Sequence, residues 1–313
     1  MSTPRLDGVE SVFARVRARE VSAAHFLRLA TASVVSFYVV VTSGAVVRLT
    51  ASGLGCDNWP RCGSTPFPEK GGHAFIEFGN RVVAFCAIVV ALVTWLAARQ
   101  VRGLAPGARR ATLGVLLGAV AQIPLGGITV IFKLHPLLVM SHFLLGLAVF
   151  GLAVAVALEA WSHDAGRGKP VGPRWWRRMV LAGLPACFVL VVSGAIVSAS
   201  GPHSGGTNIR RLGVGIVDAV YVHVRIVAVF SIGFFVIGGW LARHRREVPG
   251  VAAIAAALLA VLVAQGVLGE VQYRTHLPWW LVLIHVSLGA AIWGLAVALV
   301  HAIWRPPAAL VRQ

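Results

Sequence analysis

Long apolar stretches alternate with short polar segments along the whole chain. Eight apolar stretches can be marked, and they cover residues 26–47, 73–98, 111–132, 135–158, 178–199, 213–242, 250–270 and 277–303. A stretch of about 20 apolar residues lets an α-helix cross a hydrocarbon core about 30 Å thick. The stretches lack the residue-by-residue alternation of a membrane-spanning β-barrel. The pattern therefore predicts an all-α membrane protein with eight transmembrane helices.

Positive charge is concentrated in every second connection between these stretches. The chain is 58% hydrophobic and 12% charged, with a formal net charge of +17. The basic residues are Arg5, Arg15, Arg17, Arg19, Arg99, Arg102, Arg109, Arg110, Arg167, Lys169, Arg174, Arg177, Arg178, Arg243, Arg245, Arg246, Arg305 and Arg312. This positive-inside distribution predicts that both termini are cytoplasmic and that the basic loops contact anionic membrane lipids. It argues against nucleic acid as the partner of the positive charge.

The chain contains an internal repeat. Residues 122–150 align without gaps with residues 265–293 at a shift of 143, and Gln122, Gly126 and His142 meet identical residues there. The segments SGAVV (43–47) and SGAIV (193–197) also match. The sequence therefore predicts two pseudo-symmetric four-helix bundles, related as a parallel repeat by an axis along the membrane normal.

The repeat divides the chain into five parts. These are a cytoplasmic N-terminal segment (1–25), an N-terminal half (26–158), a cytoplasmic linker (159–177), a C-terminal half (178–304) and a cytoplasmic tail (305–313).

Four repeat-related positions carry polar side chains inside apolar stretches. The shift of 143 pairs His142 with His285 and Asn80 with His223, each roughly 8–10 residues past the outer end of its helix. Two histidines at one depth on neighbouring helices are typical of a haem held within a bundle, which favours His223 and His285 as ligands of one iron. Proton-relay histidines are the main alternative, and a zinc site lacks a completing cysteine or carboxylate.

Small and basic residues near this depth fit the same interpretation. The glycines would leave room for a porphyrin, and the arginines near the outer side suit its anionic propionates or lipid headgroups. The glycines are Gly44, Gly126, Gly194 and Gly269, and the arginines are Arg48, Arg81, Arg210, Arg211 and Arg225.

The two halves differ at Glu77. Glu77, Asn80 and Arg81 share one helix face, whereas the shift of 143 places Val220 opposite Glu77. Glu77 and Arg81 can form an i, i+4 ion pair, or the carboxylate can move protons and stabilise positive charge. Because an amide is a poor iron ligand, the first half is expected to bind a haem that enters and leaves, as a substrate does. His73, His135 and His276, at the helix mouths, are alternative ligands opposite His142.

The four cysteines fall into two groups. Cys86 and Cys187 lie in apolar stretches and are expected to be buried thiols. Cys56 and Cys62 share the first external loop, GLGCDNWPRCGSTPFP. Outside the cytoplasm they can form a structural disulfide or a redox-active pair, and a metal site is the least favoured alternative.

Five segments carry a resemblance to a known family: SGAVVRLTASGLGCDNWPRC, AFIEFGNRVVA, LHPLLVMSHFLLG, YVHVRIVAV and IHVSLGA. Through them the chain resembles the haem A synthase family over nearly the whole membrane region. The resemblance implies an eight-helix, multi-pass enzyme of the plasma (inner) membrane. This enzyme oxidises a methyl group of haem O to the formyl group of haem A. It implies haem O synthase as the donor of the substrate and terminal oxidase assembly as the destination of the product.

The resemblance also assigns roles to individual residues. It makes His223 and His285 the axial ligands of a haem b, and His142 a ligand of the substrate haem. Glu77 matches the essential acid of the family. Cys56 and Cys62 match a loop pair of the family that can form a disulfide.

The chain departs from the family at one position. The family pattern is Glu-x-x-His-Arg, and Asn80 stands where a second substrate-haem ligand is expected. Two other functions remain open from the sequence. One is a haem-b-binding electron-transfer or haem-carrier protein without catalysis, and the other is a transporter, in which midplane polar groups and parallel repeats are also common.

Overall fold

The computed structural model describes residues 20–56, 58–68, 71–206 and 208–311. The basic residues Arg5, Arg15, Arg17, Arg19 and Arg312 of the predicted charge pattern lie outside the described residues.

The described chain forms eight long α-helices. They are α1 (Ala23–Leu49), α2 (Gly72–Gln100), α3 (Pro106–Ile131), α4 (Pro136–Asp164), α5 (Arg174–Ser200), α6 (Ile216–Arg243), α7 (Pro249–Arg274) and α8 (Trp279–Trp304). A 3₁₀ turn, Ala308–Leu310, follows. All eight helices are long and apolar enough to span a membrane, which confirms the predicted number and type of spans.

Helix ends extend beyond the apolar stretches. Helix α4 continues six residues past 158 to Asp164, and α5 begins at Arg174, four residues before the predicted start. Charged residues can occupy the terminal turns because backbone hydrogen bonding continues there and long side chains reach the polar interface. Helices α3 and α5 also run through their internal prolines, Pro124 and Pro185.

The repeat is visible in the backbone of matching turns. Lys133 and Leu134 between α3 and α4 have φ angles of 50° and 58°, and the matching His276 and Leu277 have 63° and 60°. In both turns the N–H of the leucine donates over 2.8 Å to the carbonyl five residues earlier. Residues other than glycine rarely adopt this left-handed conformation, so its recurrence at a spacing of 143 supports a common unit.

The two halves pack by the same plan. In the N-terminal half α1 packs on α2 and α4, and α3 packs on α4; in the C-terminal half α5 packs on α6 and α8, and α7 packs on α8. The halves meet through α4 with α8, α1 with α8, and α4 with α5. They differ in closure, because α2 and α3 pack closely whereas α6 and α7 scarcely touch. On α6, Ala219 and Leu241 are the buried residues.

The seam between α4 and α8 is reciprocal. A Cβ added at Gly151 would lie 2.6 Å from Trp293 Nε1, and one added at the repeat-related Gly294 would lie 2.9 Å from Phe150 Cε1. Trp293 Nε1 donates to the carbonyl of Leu147 over 2.8 Å. Each half thus places an aromatic ring over the glycine of the other, as expected across a two-fold axis.

Candidate functional site

The four repeat-related polar residues lie near the N-terminal ends of α2, α4, α6 and α8. Asn80 is eight residues after the start of α2, His223 is seven residues after the start of α6, and His142 and His285 are six residues after the starts of α4 and α8. At 1.5 Å per residue this is about 9–12 Å along each helix. The residues are slightly nearer the helix ends than the sequence pattern indicated, because three of the four apolar stretches begin one to three residues before the helix itself.

Each of these side chains faces a glycine on the neighbouring helix. A Cβ added at Gly126 would lie 3.2 Å from His142 Cε1, and one added at Gly269 would lie 3.3 Å from His285 Cε1. The other two pairs are Gly194 with His223 Cε1 at 3.3 Å and Gly44 with Asn80 Oδ1 at 3.9 Å. The glycines expected to leave room for a porphyrin therefore leave room first for the imidazoles and the amide.

A serine beside each of two glycines orients the facing side chain. Ser193 Oγ lies 2.8 Å from His223 Nδ1 and donates to the carbonyl of Leu190. In the other half Ser43 donates to Asn80 Oδ1 over 2.7 Å. The sequence alone did not indicate a role for these serines, although both lie in the repeated segments SGAVV and SGAIV.

A glutamine fixes the backbone at each of the other two histidines. Gln122 Nε2 donates to the carbonyl of His142 over 3.1 Å, and Gln265 Nε2 donates to the carbonyl of His285 over 2.9 Å. Both glutamines were aligned by the repeat, but the alignment alone did not show which backbone group they contact.

Each of the three imidazoles offers Nε2 to an iron, and within the described chain only His223 also has a partner that orients its Nδ1. An iron ligand needs a neutral imidazole with one ring nitrogen available and the other oriented by its surroundings. Among the residues that the structure describes, no Nε2 atom of His142, His223 or His285 has a hydrogen-bond partner. The Nδ1 atoms of His142 and His285 are buried and have no hydrogen-bond partner within the described chain. The Nδ1 atom of His223 is hydrogen-bonded to Ser193 Oγ.

Glu77 is buried and engaged at both oxygens. Its Oε1 lies 2.6 Å from Arg81 Nη2, which is the predicted i, i+4 ion pair. Its Oε2 accepts a 2.8 Å hydrogen bond from the backbone N–H of Cys56. The acid therefore joins α2 to the first outer loop as well as to its neighbour one turn away.

The first outer loop covers the end of the N-terminal half. Cys56 and Cys62 are buried and form a disulfide, one of the alternatives that the sequence left open. Arg81 Nη1 donates to the carbonyls of Pro60 at 3.2 Å and Arg61 at 3.1 Å. Trp59 packs so closely on α3 that a Cβ at Gly127, next to Gly126, would lie 2.5 Å from its ring. Nothing in the sequence distinguished Trp59 from other loop aromatics.

The remaining candidates lie elsewhere. His73 Nδ1 is 2.9 Å from Ser52 Oγ, His135 precedes α4, and His276 lies in the turn between α7 and α8. Arg48 donates to the carbonyl of Ser198 on α5 and so links the two halves. The prediction of two buried thiols was wrong for one of them: Cys187 is buried, but Cys86 on α2 is exposed.

Comparison with known proteins agrees with this arrangement. Residues 65–203 match the COX15-CtaA family, described as cytochrome oxidase assembly protein. The haem A synthase of Symbiobacterium thermophilum is 32% identical over 278 residues, which cover 82% of this chain and 88% of that protein. The haem A synthase of Halalkalibacterium halodurans is 28% identical over 53% of this chain and 57% of that protein.

One relative carries a different name. The protohaem IX farnesyltransferase of Thermus thermophilus is 27% identical over 83% of this chain, and the match spans 45% of that protein. Similarity to the haem A synthase of Symbiobacterium thermophilum extends over most of both chains. The chain therefore belongs to the haem A synthase family.

Proposed function

We propose that this protein is a haem A synthase that oxidises one methyl group of haem O to a formyl group. Two successive hydroxylations of the same carbon, each a two-electron oxidation that requires an external electron acceptor and an oxygen source, would give a gem-diol, which loses water to form the aldehyde. The observation that carries the proposal is the asymmetry between otherwise matching halves. One half carries His223 and His285 against glycines of the neighbouring helices, and the other carries Asn80 and His142 in the same way, with the buried Glu77 one turn before Asn80.

The C-terminal half would hold a resident haem b through His223 and His285. A bound haem b supplies one-electron transfer. Ser193 would orient the His223 ring through Nδ1, and Gln265 would hold the backbone of α8 at His285. The sparse contact between α6 and α7 supports a cofactor-sized separation of these helices.

The N-terminal half would bind the substrate, haem O. His142 would ligate the substrate iron, and Asn80 would face it without supplying a strong ligand. The substrate haem is then five-coordinate or carries a water molecule held by Asn80. Arg81 would contact the substrate haem or hold Glu77 in place through their ion pair. Glu77 would accept or release a proton at its carboxylate, or stabilise positive charge that develops on the substrate.

The setting of the enzyme is also part of the proposal. The chain would lie in the plasma (inner) membrane with both termini cytoplasmic, and would divide into residues 1–25, 26–158, 159–177, 178–304 and 305–313. A haem O synthase would donate the substrate, which is supported by the similarity to protohaem IX farnesyltransferases. The product would serve terminal oxidase assembly.

The test is product formation. The chain is expressed together with a haem O synthase in a host that makes no haem A, and extracted haems are separated by chromatography with mass detection. We expect haem A or its hydroxylated precursor. Haem b and unconverted haem O alone, from protein shown to be folded, would instead favour the haem-b electron-transfer or carrier function and would identify Asn80 as the reason.

A further inference from the structure

A groove lies at the end of the bundle opposite to Asn80 and the three histidines, near the last described residues of the chain. It has a volume of about 310 Å³ and runs between α4, α5 and α8, at the seam of the two halves. Its apolar walls and its polar end are formed by Ala155, Leu181, Leu184, Val297, Val300, His301, Trp304 and Arg305. The groove lies within spanning helices, so its apolar part faces the hydrocarbon region.

The end of the groove carries excess positive charge. Glu159 is buried and contacts Arg167 at 2.6 Å, Arg305 at 2.9 Å and His301 Nε2 at 3.0 Å. The guanidinium of Arg177, in the first turn of α5, stacks 5.1 Å from the centre of the Trp304 ring. Glu159 thus contacts two guanidinium groups and one imidazole, and Arg177 brings the guanidinium groups near this end of the groove to three. The cluster therefore remains positive, and Arg177 has no acidic partner within the described chain.

Buried donors at this end also lack acceptors. Arg177 Nε and Trp304 Nε1 are buried with no hydrogen-bond partner among the residues that the structure describes. Leaving a buried donor unpaired is costly, so two at one place indicate that an acceptor from outside the described chain belongs there. Guanidinium groups bind phosphate oxygens especially well.

We propose that this groove binds one anionic phospholipid from the adjacent leaflet. The phosphate lies against Arg177 and Arg305, and one acyl chain lies between α5 and α8 over Ala155. A free inorganic anion would use the guanidinium groups but not the apolar walls, and a neutral lipid would use the walls but not the charge. The lipid would contact both halves of the protein, because α4 belongs to the first and α5 and α8 to the second.

Native mass spectrometry of the full-length, delipidated protein tests the charge requirement. The protein is titrated with phosphatidylglycerol or phosphatidylcholine in detergent. We expect the wild type to retain one phosphatidylglycerol about tenfold more tightly than phosphatidylcholine, and Arg177→Gln with Arg305→Gln to abolish that preference. Arg99→Gln is the matched control, because Arg99 stacks on Trp95 at the same 5.1 Å and lies at the end of α2, away from the groove. This variant should keep the preference.

A second pair of variants tests the apolar part without changing charge. Ala155→Phe fills the groove and should weaken phosphatidylglycerol retention, whereas Val229→Phe on the exposed face of α6 should not. The proposal would be overturned if the wild type retained phosphatidylglycerol and phosphatidylcholine equally, or if the double arginine variant kept the wild-type preference. It would also be overturned if Ala155→Phe displaced only the neutral lipid, phosphatidylcholine. Retention of inorganic phosphate in place of phospholipid would also overturn it.

Discussion

At the scale of single residues, the two halves use one framework for different chemistry. Ser43 and Ser193 occupy matching positions and orient Asn80 and His223 respectively. The serine and glycine are the same in both halves, the side chain that faces them is asparagine in one half and histidine in the other, and Glu77 occurs in one half only. Substrate chemistry is therefore expected to depend on Glu77 and Asn80 without disturbing the other half.

Replacing Glu77 by glutamine should abolish haem A formation and leave haem b content unchanged. A glutamine can still accept from Cys56 N–H, but it cannot exchange a proton near neutral pH or carry negative charge. Haem extraction with chromatography measures both haems in one sample. Glu270→Gln is the matched control, since it breaks an exposed i, i+4 pair with Arg274 on α7. Normal turnover in Glu77→Gln would show that the acid serves only as a partner for Arg81.

Replacing Asn80 by histidine should convert the substrate haem to a six-coordinate, low-spin form. Asn80 and His223 face glycines in the same way. A Cβ added at Gly44 would lie 3.9 Å from Asn80 Oδ1, and one added at Gly194 would lie 3.3 Å from His223 Cε1, so the space beside Gly44 accommodates an imidazole. Absorption and resonance Raman spectra of the protein loaded with haem O report the spin state. A wild-type low-spin, six-coordinate spectrum that persists in Asn80→Ala would contradict the proposed five-coordinate or water-bound state.

At the scale of helices, glycine positions decide how closely a neighbouring imidazole can approach. The sequence indicated which helices carry the histidines and glycines, because hydropathy and the repeat are properties of the chain order. It did not indicate that Gly269 contacts His285 itself, because that depends on the rotation of α7 and α8 about their axes. The same limit applies to Trp59, whose contact with Gly127 arises only when the outer loop folds back over α3.

An added methyl group at Gly269 should disturb the haem b site. Its Cβ would lie 3.3 Å from His285 Cε1, so the imidazole must move by a few tenths of an ångström. We expect Gly269→Ala to lower haem b content and shift its reduction potential, measured by pyridine haemochrome assay and redox titration. Gly266→Ala, on the same helix with nothing within 4 Å, should match the wild type. Equal values for both variants and the wild type would show that His285 is not held by this contact.

At the scale of the whole molecule, the reciprocal contacts of α4 and α8 join the halves. Gly151 accommodates Trp293, and Gly294 accommodates Phe150, so each contact is made twice across the pseudo-two-fold axis. Arg48 adds a third link by donating from α1 to the carbonyl of Ser198 on α5. Loss of these contacts should affect stability more than chemistry, since neither of the two proposed haem sites includes them.

Gly151→Ala should destabilise the protein. Its Cβ would lie 2.6 Å from Trp293 Nε1, and overpacking of this kind costs about 1–3 kcal/mol. The better helix propensity of alanine offsets about 1 kcal/mol of that cost. The melting temperature in detergent should fall, with haem content per folded protein unchanged. Gly238→Ala on α6 has nothing within 4 Å and should not lower it. An unchanged melting temperature in Gly151→Ala would mean that the seam yields without cost.

The sequence by itself determined the eight spans, the repeat, the four polar positions and the similarity to haem A synthases, because apolar length and residue spacing are local or periodic properties. Only the tertiary structure decided which atoms meet. Examples are Glu77 with Cys56 N–H, Ser193 with His223, and the charged cluster around Glu159. These contacts join residues far apart in the chain. They depend on how each helix is rotated and how far it is shifted along its axis, and hydropathy constrains neither.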